Sequence, residues 1–351
     1  MGLSPSLWSG KRVLVTGHTG FKGSWLTLLL KDLGAEVVGL SLPPEGPQSL
    51  YTDARVRDEV LSEFFLDIRD LSAIEEVLQA SRIDYVFHLA AQAFVRRSVK
   101  NPIESVTTNV LGTTNVLIAS LQSKGVLGAT IVTTDKVYEN LGADITFKES
   151  DKLGGLDPYS ASKAAAELIV SSIISSNNPN KIPVTTVRAG NVIGGGDWGE
   201  DRLVPDIVRT LNSQIPLLIR NPNATRPWQH VLDCLYGYLL VAESHFREKS
   251  VTPSSINFGP NESLSVMQLL SLFEESFGRK INYEQRESSI PESKYLALDS
   301  SLAHTYLGWF AELSPIQAVS QTAEWYSNFE QGSDAKELVR QEISIYKVGK
   351  W

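Results

Sequence analysis

Tyr159 and Lys163 are the two residues whose types and spacing best suit acid–base chemistry. They form a Tyr-x-x-x-Lys pair, and on a helix that spacing places both side chains on one face, one turn apart. A free phenol has a pKa near ~10 and is a poor base at neutral pH. A nearby ammonium, together with the positive ring of an oxidised nicotinamide, would favour the phenolate. Taken alone, the pair is more often a surface tyrosine and lysine.

Two threonines strengthen the catalytic interpretation. Thr133 and Thr134 end a predicted strand over 129–134. Ligands of open α/β sheets bind at the carboxyl ends of parallel strands. A hydroxyl at that place could share a substrate hydroxyl with Tyr159.

A glycine turn near the N-terminus indicates the second part of the chemistry, which is dinucleotide binding. Gly17, Gly20 and Gly23 lie between the apolar run 13–16 and an apolar helix pattern over 25–33. Residues without a Cβ allow a tight turn and close approach to a pyrophosphate, and the free N–H groups of the following helix face the anion. The spacing G-x-x-G-x-x-G is one residue longer than the usual fingerprint. The alternative is a plain turn between strand and helix.

The elements that must position these residues alternate along the chain. Strands are predicted at 36–41, 85–92 and 182–188, and helices at 71–80, 102–121 and 159–176. This alternation predicts an α/β fold with a Rossmann-type, doubly wound parallel sheet. Regular alternation stops at Gly190. We therefore expect an NAD-binding domain over 1–190, with returning segments near 228–260, and a smaller substrate domain formed by 191–227 and 261–351.

Bulk composition excludes several classes of function. The net charge is −8 over 351 residues, which argues against a general nucleic-acid surface. One cysteine allows no internal disulfide, and no apolar run approaches the ~18 residues of a membrane span. The N-terminus shows no signal-peptide pattern. We expect a cytoplasmic protein with no membrane partner. No His/Cys/Asp cluster has metal-ligand spacing, so no metal is expected.

The strand over 36–41 bears on the choice of dinucleotide. It ends in Ser41-Leu42-Pro43-Pro44, without the carboxylate that usually holds the adenosine ribose of NAD. No arginine stands there to hold a 2′-phosphate either. NAD is therefore the expected cofactor.

Taken together, Thr16-Gly17-x-x-Gly20-x-x-Gly23, the threonine before the polar loop and Tyr159-x-x-x-Lys163 resemble the extended short-chain dehydrogenase/reductase family of NAD-dependent epimerases and dehydratases. The resemblance implies that Tyr159 is the base or acid at the reacting hydroxyl. It also implies that Lys163 holds the nicotinamide ribose and that Thr134 orients the substrate oxygen. The positions expected to contact the cofactor, besides Tyr159 and Lys163, are Gly17, Thr19, Gly20, Phe21, Lys22, Gly23, Asp67, Ile68, Leu89, Ala90, Ala91, Gln92 and Asn109.

Three stretches resemble the CDP-glucose 4,6-dehydratase subfamily more narrowly. They are 134–140 (TDKVYEN), 188–198 (RAGNVIGGGDW) and 226–233 (RPWQHVLD). The resemblance implies oxidation of CDP-glucose at C4, loss of water across C5 and C6, and return of hydride from NADH to C6. The product would be CDP-4-keto-6-deoxyglucose, an intermediate of deoxysugar biosynthesis of the lipopolysaccharide O-antigen type.

Asp135 and Lys136 are the residues that the elimination step would require. The resemblance suggests Asp135 as the acid at the departing C6 hydroxyl, although an aspartate here is more commonly a turn residue. Related dTDP-glucose dehydratases have Thr-Asp-Glu, so Lys136 stands where their base is expected. Lys136 can be the C5 base only if burial or a nearby cation lowers its pKa. Otherwise it acts as a cation that stabilises the enolate.

The remaining candidates concern the sugar nucleotide. The guanidinium of Arg226 suits a diphosphate, and Asn191 could bond the same group. Asp197, Trp198 and Arg202 are candidates for the cytidine end, and Arg97 for substrate or cofactor. A surface ion pair or a turn is the alternative for Arg226 and Asn191.

Two other functions remain open. A nucleotide-sugar 4-epimerase or reductase would keep the fold and change the reaction, but neither needs an elimination acid and base. A dinucleotide-sensing scaffold would use binding alone, and intact Thr134, Tyr159 and Lys163 argue against it. The resemblance also implies a homodimer, or a dimer of dimers, through the helices at 102–121 and 159–176.

Overall fold

The computed structural model describes residues 2–142, 145–213, 215–247, 252–285 and 296–347. Its strands are β1 Arg12–Thr16, β2 Glu36–Ser41, β3 Ser62–Phe65, β4 Tyr85–His88, β5 Gly128–Val132, β6 Thr146–Phe147, β7 Val184–Ala189, β8 Val192–Ile193, β9 Leu217–Ile219, β10 Thr225–Arg226, β11 Gln229–His230, β12 Ser255–Phe258, β13 Leu264–Ser265, β14 Tyr283–Gln285 and β15 Ala297–Leu298. Its helices are α1 Pro5–Trp8, α2 Phe21–Asp32, α3 Leu50–Asp53, α4 Leu71–Ser81, α5 Val95–Lys100, α6 Pro102–Val106, α7 Thr113–Gln122, α8 Pro158–Ser176, α9 Leu203–Leu211, α10 Val231–Arg247, α11 Val266–Phe277, α12 Ser301–Leu307, α13 Pro315–Glu330 and α14 Ala335–Lys347.

The central sheet confirms the predicted α/β class. It has seven strands in the order β12-β7-β5-β4-β1-β2-β3, and every neighbouring pair is parallel. The strand order reverses between β1 and β4. Ligands of doubly wound sheets bind outside the carboxyl ends of the strands at such a switch point, so the fold places the candidate site there.

Helices cover both faces of the sheet, which explains why the strands read as continuous apolar runs rather than alternating ones. On one face α4 and α7 pack together through buried aliphatic residues such as Ile74, Leu78 and Leu117. On the other face α2 and α10 pack together, with Trp25, Leu26 and Leu239 buried between the layers.

The long helix predicted over 102–121 is interrupted. It consists of α6, a π-helical segment Thr107–Gly112, and α7. The wider π-helical turn lies at Asn109, whose buried side chain bonds the main chain of Gln92 and the hydroxyl of Ser162. Such local widening of a helix is frequent at functional sites.

The segments expected to return to the sheet lie beside it. β12 pairs with β7, and α10 packs against β5 and α2. The division of the chain near residue 190 remains a prediction. Among the described residues, no helix combines the length and apolar character needed to cross a bilayer; the cytoplasmic location also remains a prediction.

Candidate active site

The glycine turn between β1 and α2 forms a close-packed cradle. Gly17 has a φ of +76°, and a Cβ added there would lie 2.7 Å from the main-chain nitrogen of Ala90. A Cβ on Gly23 would lie 2.0 Å from the carbonyl oxygen of Gly17. Only glycine fits both positions. Gly20 is the N-cap of the 12-residue helix α2, whose first N–H groups can receive a pyrophosphate. This cradle fits a dinucleotide.

The segment after β4, residues 89–92, is held by hydrogen bonds to buried polar side chains. The Thr16 hydroxyl accepts hydrogen bonds from the main-chain N–H groups of Leu89 and Ala90, each at 3.2 Å. That hydroxyl lies 2.7 Å from Nδ1 of His88. Burial lowers the pKa of His88 to about 3, so the ring stays neutral and orients Thr16. Main-chain bonds to Asn109 then fix Gln92. Leu89, Ala90, Ala91 and Gln92 therefore form a rigid edge beside the glycine cradle.

The predicted adenosine end has an unusual polar contact. The Thr19 hydroxyl lies 2.8 Å from the hydroxyl of Ser41 and 3.0 Å from the carbonyl oxygen of Leu42, so it ties the glycine turn to the end of β2. Asp67 accepts hydrogen bonds from the main chain and guanidinium of Arg69, which lower the Asp67 pKa. The carbonyl oxygen of Ile68 accepts from Asn115, so Ile68 and Asp67 are held in one turn.

The Tyr159–Lys163 pair lies at the start of α8, as predicted. Lys163 is 4% exposed and its Nζ donates to the carbonyl oxygen of Val132 at 2.8 Å. Burial lowers the pKa of Lys163 to about 8, and the charge of Lys22 lowers it further. Burial raises the pKa of Tyr159 to about 12, whereas a hydrogen bond with Thr134 lowers it. To act as a base, the phenol therefore depends on Thr134, on the charge of Arg202, which also lowers its pKa, and on a bound nicotinamide cation.

Thr134, Asp135 and Lys136 begin a short 3-10 turn, 134–137, which we call the catalytic turn. The Thr134 hydroxyl donates to Oδ1 of Asp135 at 3.0 Å. Asp135 is 4% exposed, and burial raises its pKa against the opposing charges of Lys136 and Arg226. Burial therefore favours the neutral form of this carboxyl group more than in an exposed aspartate. Lys136 is exposed, and its base role would require that substrate cover it.

Two arginines act on the candidate catalytic groups, Arg202 on Tyr159 and Arg226 on Asp135. The Arg202 guanidinium donates to both carboxylate oxygens of Asp197, at 3.0 and 2.9 Å, and lies 5.2 Å from the Phe94 ring centroid. Its charge acts on Tyr159, and the charge of Arg226 acts on Asp135. Cations thus flank the catalytic groups where a diphosphate could bind.

The other substrate candidates lie in different surroundings. Arg97 forms exposed and half-buried ion pairs with Glu45 and Glu104. Trp198 donates to Asp53 at 3.1 Å and packs edge-on against Tyr326. The carbonyl oxygen of Asn191 accepts from the main chain of Gln229. Their substrate contacts remain predictions.

The sequence analysis gave no role to four residues near the site, Phe94, Tyr138, Glu167 and Arg188, although Tyr138 and Arg188 lie within the stretches 134–140 and 188–198. Glu167 and Arg188 form a buried ion pair directly behind the catalytic turn. A signal for Glu167 was available, because it follows Lys163 by four residues and so shares the helix face of Tyr159. Phe94 and Arg188 meet their partners only through the tertiary fold. The described residues contain no cluster of His, Cys, Asp or Glu that could hold a metal ion.

The burial of Lys163 yields a prediction about stability. We compare the free energy of unfolding of Lys163→Met with that of the parent at two pH values. The variant's value minus the parent's should be about 2 kcal/mol larger at pH 7 than at pH 10. The folded pKa is about 8 against an ordinary 10.5. Below pH 8 both states are protonated and the folded parent bears the cost of a buried charge. Between pH 8 and 10.5 the folded lysine loses its proton first, so the parent gains stability.

Denaturant unfolding at both pH values, without cofactor, measures this difference. Lys152→Met is the matched control, because it removes an ammonium whose side chain is 75% exposed rather than a buried one. A constant difference for Lys163→Met would show that its ammonium is not destabilised in the fold.

Comparison with known proteins identifies the family of this chain. The model of the NAD dependent epimerase/dehydratase family matches residues 13–259. A CDP-glucose 4,6-dehydratase from Salmonella typhimurium is 37% identical, over 98% of both chains. A UDP-glucose 4-epimerase from Pasteurella multocida is 28% identical, over 89% of this chain and 96% of its own. The crystal structure of a UDP-glucose 4-epimerase from Brucella ovis in complex with NAD has the same fold, with a TM-score of 0.80, 21% identity and coverage of 91% and 98%.

Proposed function

The chain belongs to the NAD dependent epimerase/dehydratase family, and on that premise we propose that it dehydrates CDP-glucose to CDP-4-keto-6-deoxyglucose. One observation carries the proposal: Asp135, a buried carboxyl with a raised pKa, lies beside Thr134 in the cleft of Tyr159. Oxidation at C4 does not need such a group. Loss of the C6 hydroxyl as water does need an acid. The Salmonella relative, a CDP-glucose 4,6-dehydratase, supports this assignment.

The first residue roles concern the C4 hydroxyl. Tyr159 removes its proton, Thr134 orients its oxygen, and Lys163 favours the phenolate and holds the nicotinamide ribose. When bound in the glycine cradle, NAD would supply the oxidation at C4 and the matching reduction at C6, with a proton returned to C5. The cofactor is therefore restored in each turnover, and the enzyme is a lyase.

The elimination uses the catalytic turn. A ketone at C4 makes the C5 proton acidic, and Asp135 protonates the C6 hydroxyl as it departs. Lys136 is assigned to C5, either as the base or as a cation beside the enolate. Arg226 is assigned to the diphosphate, whose oxygens match a guanidinium two at a time, and Asn191 to the same group. Arg202 is assigned, with Asp197 and Trp198, to the cytidine end.

A substrate panel tests the reaction and the nucleotide together. The protein with NAD+ is incubated separately with CDP-glucose, dTDP-glucose, UDP-glucose and GDP-mannose, and the product masses are recorded. Loss of one water from CDP-glucose alone is the expected result. Water loss from another substrate would keep the dehydratase and correct the nucleotide.

The second candidate is a nucleotide-sugar 4-epimerase, which the Pasteurella relative favours. Its product would keep the C6 oxygen and the substrate mass. An unchanged mass with a new sugar signal in the NMR spectrum would replace the first proposal with this one.

We also propose a homodimer formed through α6, the π-helical segment and α8. These packed elements expose apolar side chains that a second copy could bury, among them Ile103 at 71% and Leu168 at 60% exposed. Sedimentation equilibrium should give twice the chain mass, because a paired face of this kind is self-complementary. Ile103→Glu combined with Leu168→Glu should give monomer, whereas Leu218→Glu, at an exposed leucine of β9, should not. A monomeric parent would contradict the proposal.

A further inference from the structure

A buried ion pair lies behind the catalytic turn without any evident role in the chemistry. Glu167 lies one helical turn after Lys163 on α8, and Arg188 lies on β7. The Arg188 Nε donates to both Glu167 oxygens, at 2.9 and 3.0 Å, and the two residues are only 4% and 3% exposed. Desolvation of such a pair often cancels its attraction, so apolar residues can replace it without loss of stability. Its contacts therefore matter more than its strength.

The first contact reaches the start of the catalytic turn. The Thr133 hydroxyl donates to Oε1 of Glu167 at 2.5 Å. Thr133 is 5% exposed and directly precedes Thr134. The carboxylate of Glu167 thus fixes the residue from which the turn departs.

The second contact reaches the end of the turn. Arg188 Nη1 donates to the Tyr138 hydroxyl at 2.6 Å, and the guanidinium carbon lies 4.9 Å from the Tyr138 ring centroid. The Tyr138 hydroxyl donates onward to Asn257 at 2.7 Å. Tyr138 directly follows the catalytic turn, so one ion pair holds both ends of it.

The same carboxylate also acts on the second half of the site. Glu167 is the charge that raises the pKa of Lys163 against burial and Lys22. It therefore helps to keep the ammonium of Lys163 charged, on the helix that also carries Tyr159. The ion pair faces both the turn and the helix that carry the catalytic groups.

We infer that Glu167 and Arg188 are positioning residues, which hold Thr134 and Asp135 of the catalytic turn in register with Tyr159 and Lys163 of α8. The inference rests on the proposed function only for the identity of the reaction. Misplacement of a reacting group by about 1 Å can cost about 100-fold in rate. The pair thus acts on turnover through geometry.

Thr133→Val is the sharpest test, because it removes only the hydroxyl, which bonds Glu167 and, at 3.2 Å, the carbonyl oxygen of Val187, and leaves the ion pair intact. Glu167→Gln would leave Arg188 buried without its partner and could prevent folding. We expect peptides covering 133–142 to exchange amide hydrogens about tenfold faster in Thr133→Val, and kcat to fall about 10- to 100-fold with KM within about threefold of the parent. Thr133→Ser keeps the hydroxyl and should restore both. Tyr138→Phe, which removes the hydroxyl that Arg188 contacts at the end of the catalytic turn, should likewise speed exchange and lower kcat.

Thr185→Val is the matched control. Thr185 is a fully buried threonine on β7 whose hydroxyl bonds His245 and the carbonyl oxygen of Pro253, away from the turn. It should lose stability but keep kcat and the exchange rate of 133–142, a range that leaves out Thr130, the β5 partner of Thr185. If Thr133→Val lost stability but kept the parental kcat and exchange rate, as this control should, the inference would be overturned. Hydrogen exchange needs no substrate, so it decides the inference even if the parent fails to dehydrate CDP-glucose.

Discussion

Replacing Tyr159 with phenylalanine should lower turnover of CDP-glucose by about 10²- to 10⁴-fold, the usual contribution of a positioned acid–base group. The loss follows because the phenol oxygen of Tyr159 is the group assigned to take the proton of the C4 hydroxyl, and phenylalanine lacks that oxygen. The ring remains, so packing and the glycine cradle are unchanged. Dissociation constants for NAD+ from fluorescence titration should therefore stay within about threefold of the parent.

Tyr85→Phe provides the matched control for that variant. Tyr85 is fully buried, and its hydroxyl bonds Thr130 and His245 at the opposite end of β4 from the site. Its replacement should lower the melting temperature and leave kcat near that of the parent. If Tyr159→Phe kept more than about a tenth of parental turnover, the proton of the C4 hydroxyl would have another acceptor and the assignment of Tyr159 would be wrong.

The parts of this site that the sequence predicts are those defined by local spacing. The glycine turn and the Tyr159–Lys163 pair depend on residues within one or two turns of chain, and both are found in the predicted elements. The parallel sheet followed from alternating strands and helices. The order of these motifs along the chain predicted the family and its use of NAD, and comparison with known proteins confirmed the family.

What the sequence did not reveal depends on contacts between distant segments. Arg188 reaches Tyr138 across 50 positions, and no local pattern connects them. The burial of Asp135 and the exposure of Lys136 are likewise properties of the assembled cleft, although the two residues are adjacent. The direction of a pKa shift depends on burial, and burial is seen only in the folded chain. The sequence could therefore propose Asp135 and Lys136 as acid and base, but it could not tell whether their pKa values suit those roles.

The largest qualitative effect is expected from Asp135→Asn. It should stop water loss, reducing formation of the dehydrated product by about 10²- to 10⁴-fold, while C4 oxidation continues. An asparagine oxygen can still accept the hydrogen bond from Thr134, so the turn is preserved, but the side chain has no proton to give to the C6 hydroxyl. Cofactor absorbance at 340 nm should rise after mixing with CDP-glucose and remain high.

Lys136→Ala separates the two roles within the elimination. In D₂O, Asp135→Asn should still exchange the C5 proton once the 4-keto sugar has formed, because removal of that proton does not need the acid. Lys136→Ala should lose the exchange if Lys136 is the base, and retained exchange would leave it the electrostatic role. Asp233→Asn, a change at a fully buried aspartate that contacts Tyr346, should not alter the product.

The pH profile gives an independent check on Asp135. Burial raises the pKa of its carboxyl, so the proton needed for C6 departure persists above the usual range for an aspartate. Dehydration should therefore fall as pH rises through that raised pKa, while single-turnover C4 oxidation should not follow the same fall, because it depends on Tyr159 rather than on the acid. If both steps shared one descending limb, the proton would come from another group. The raised pKa of Asp135 would then be a consequence of burial without a part in catalysis.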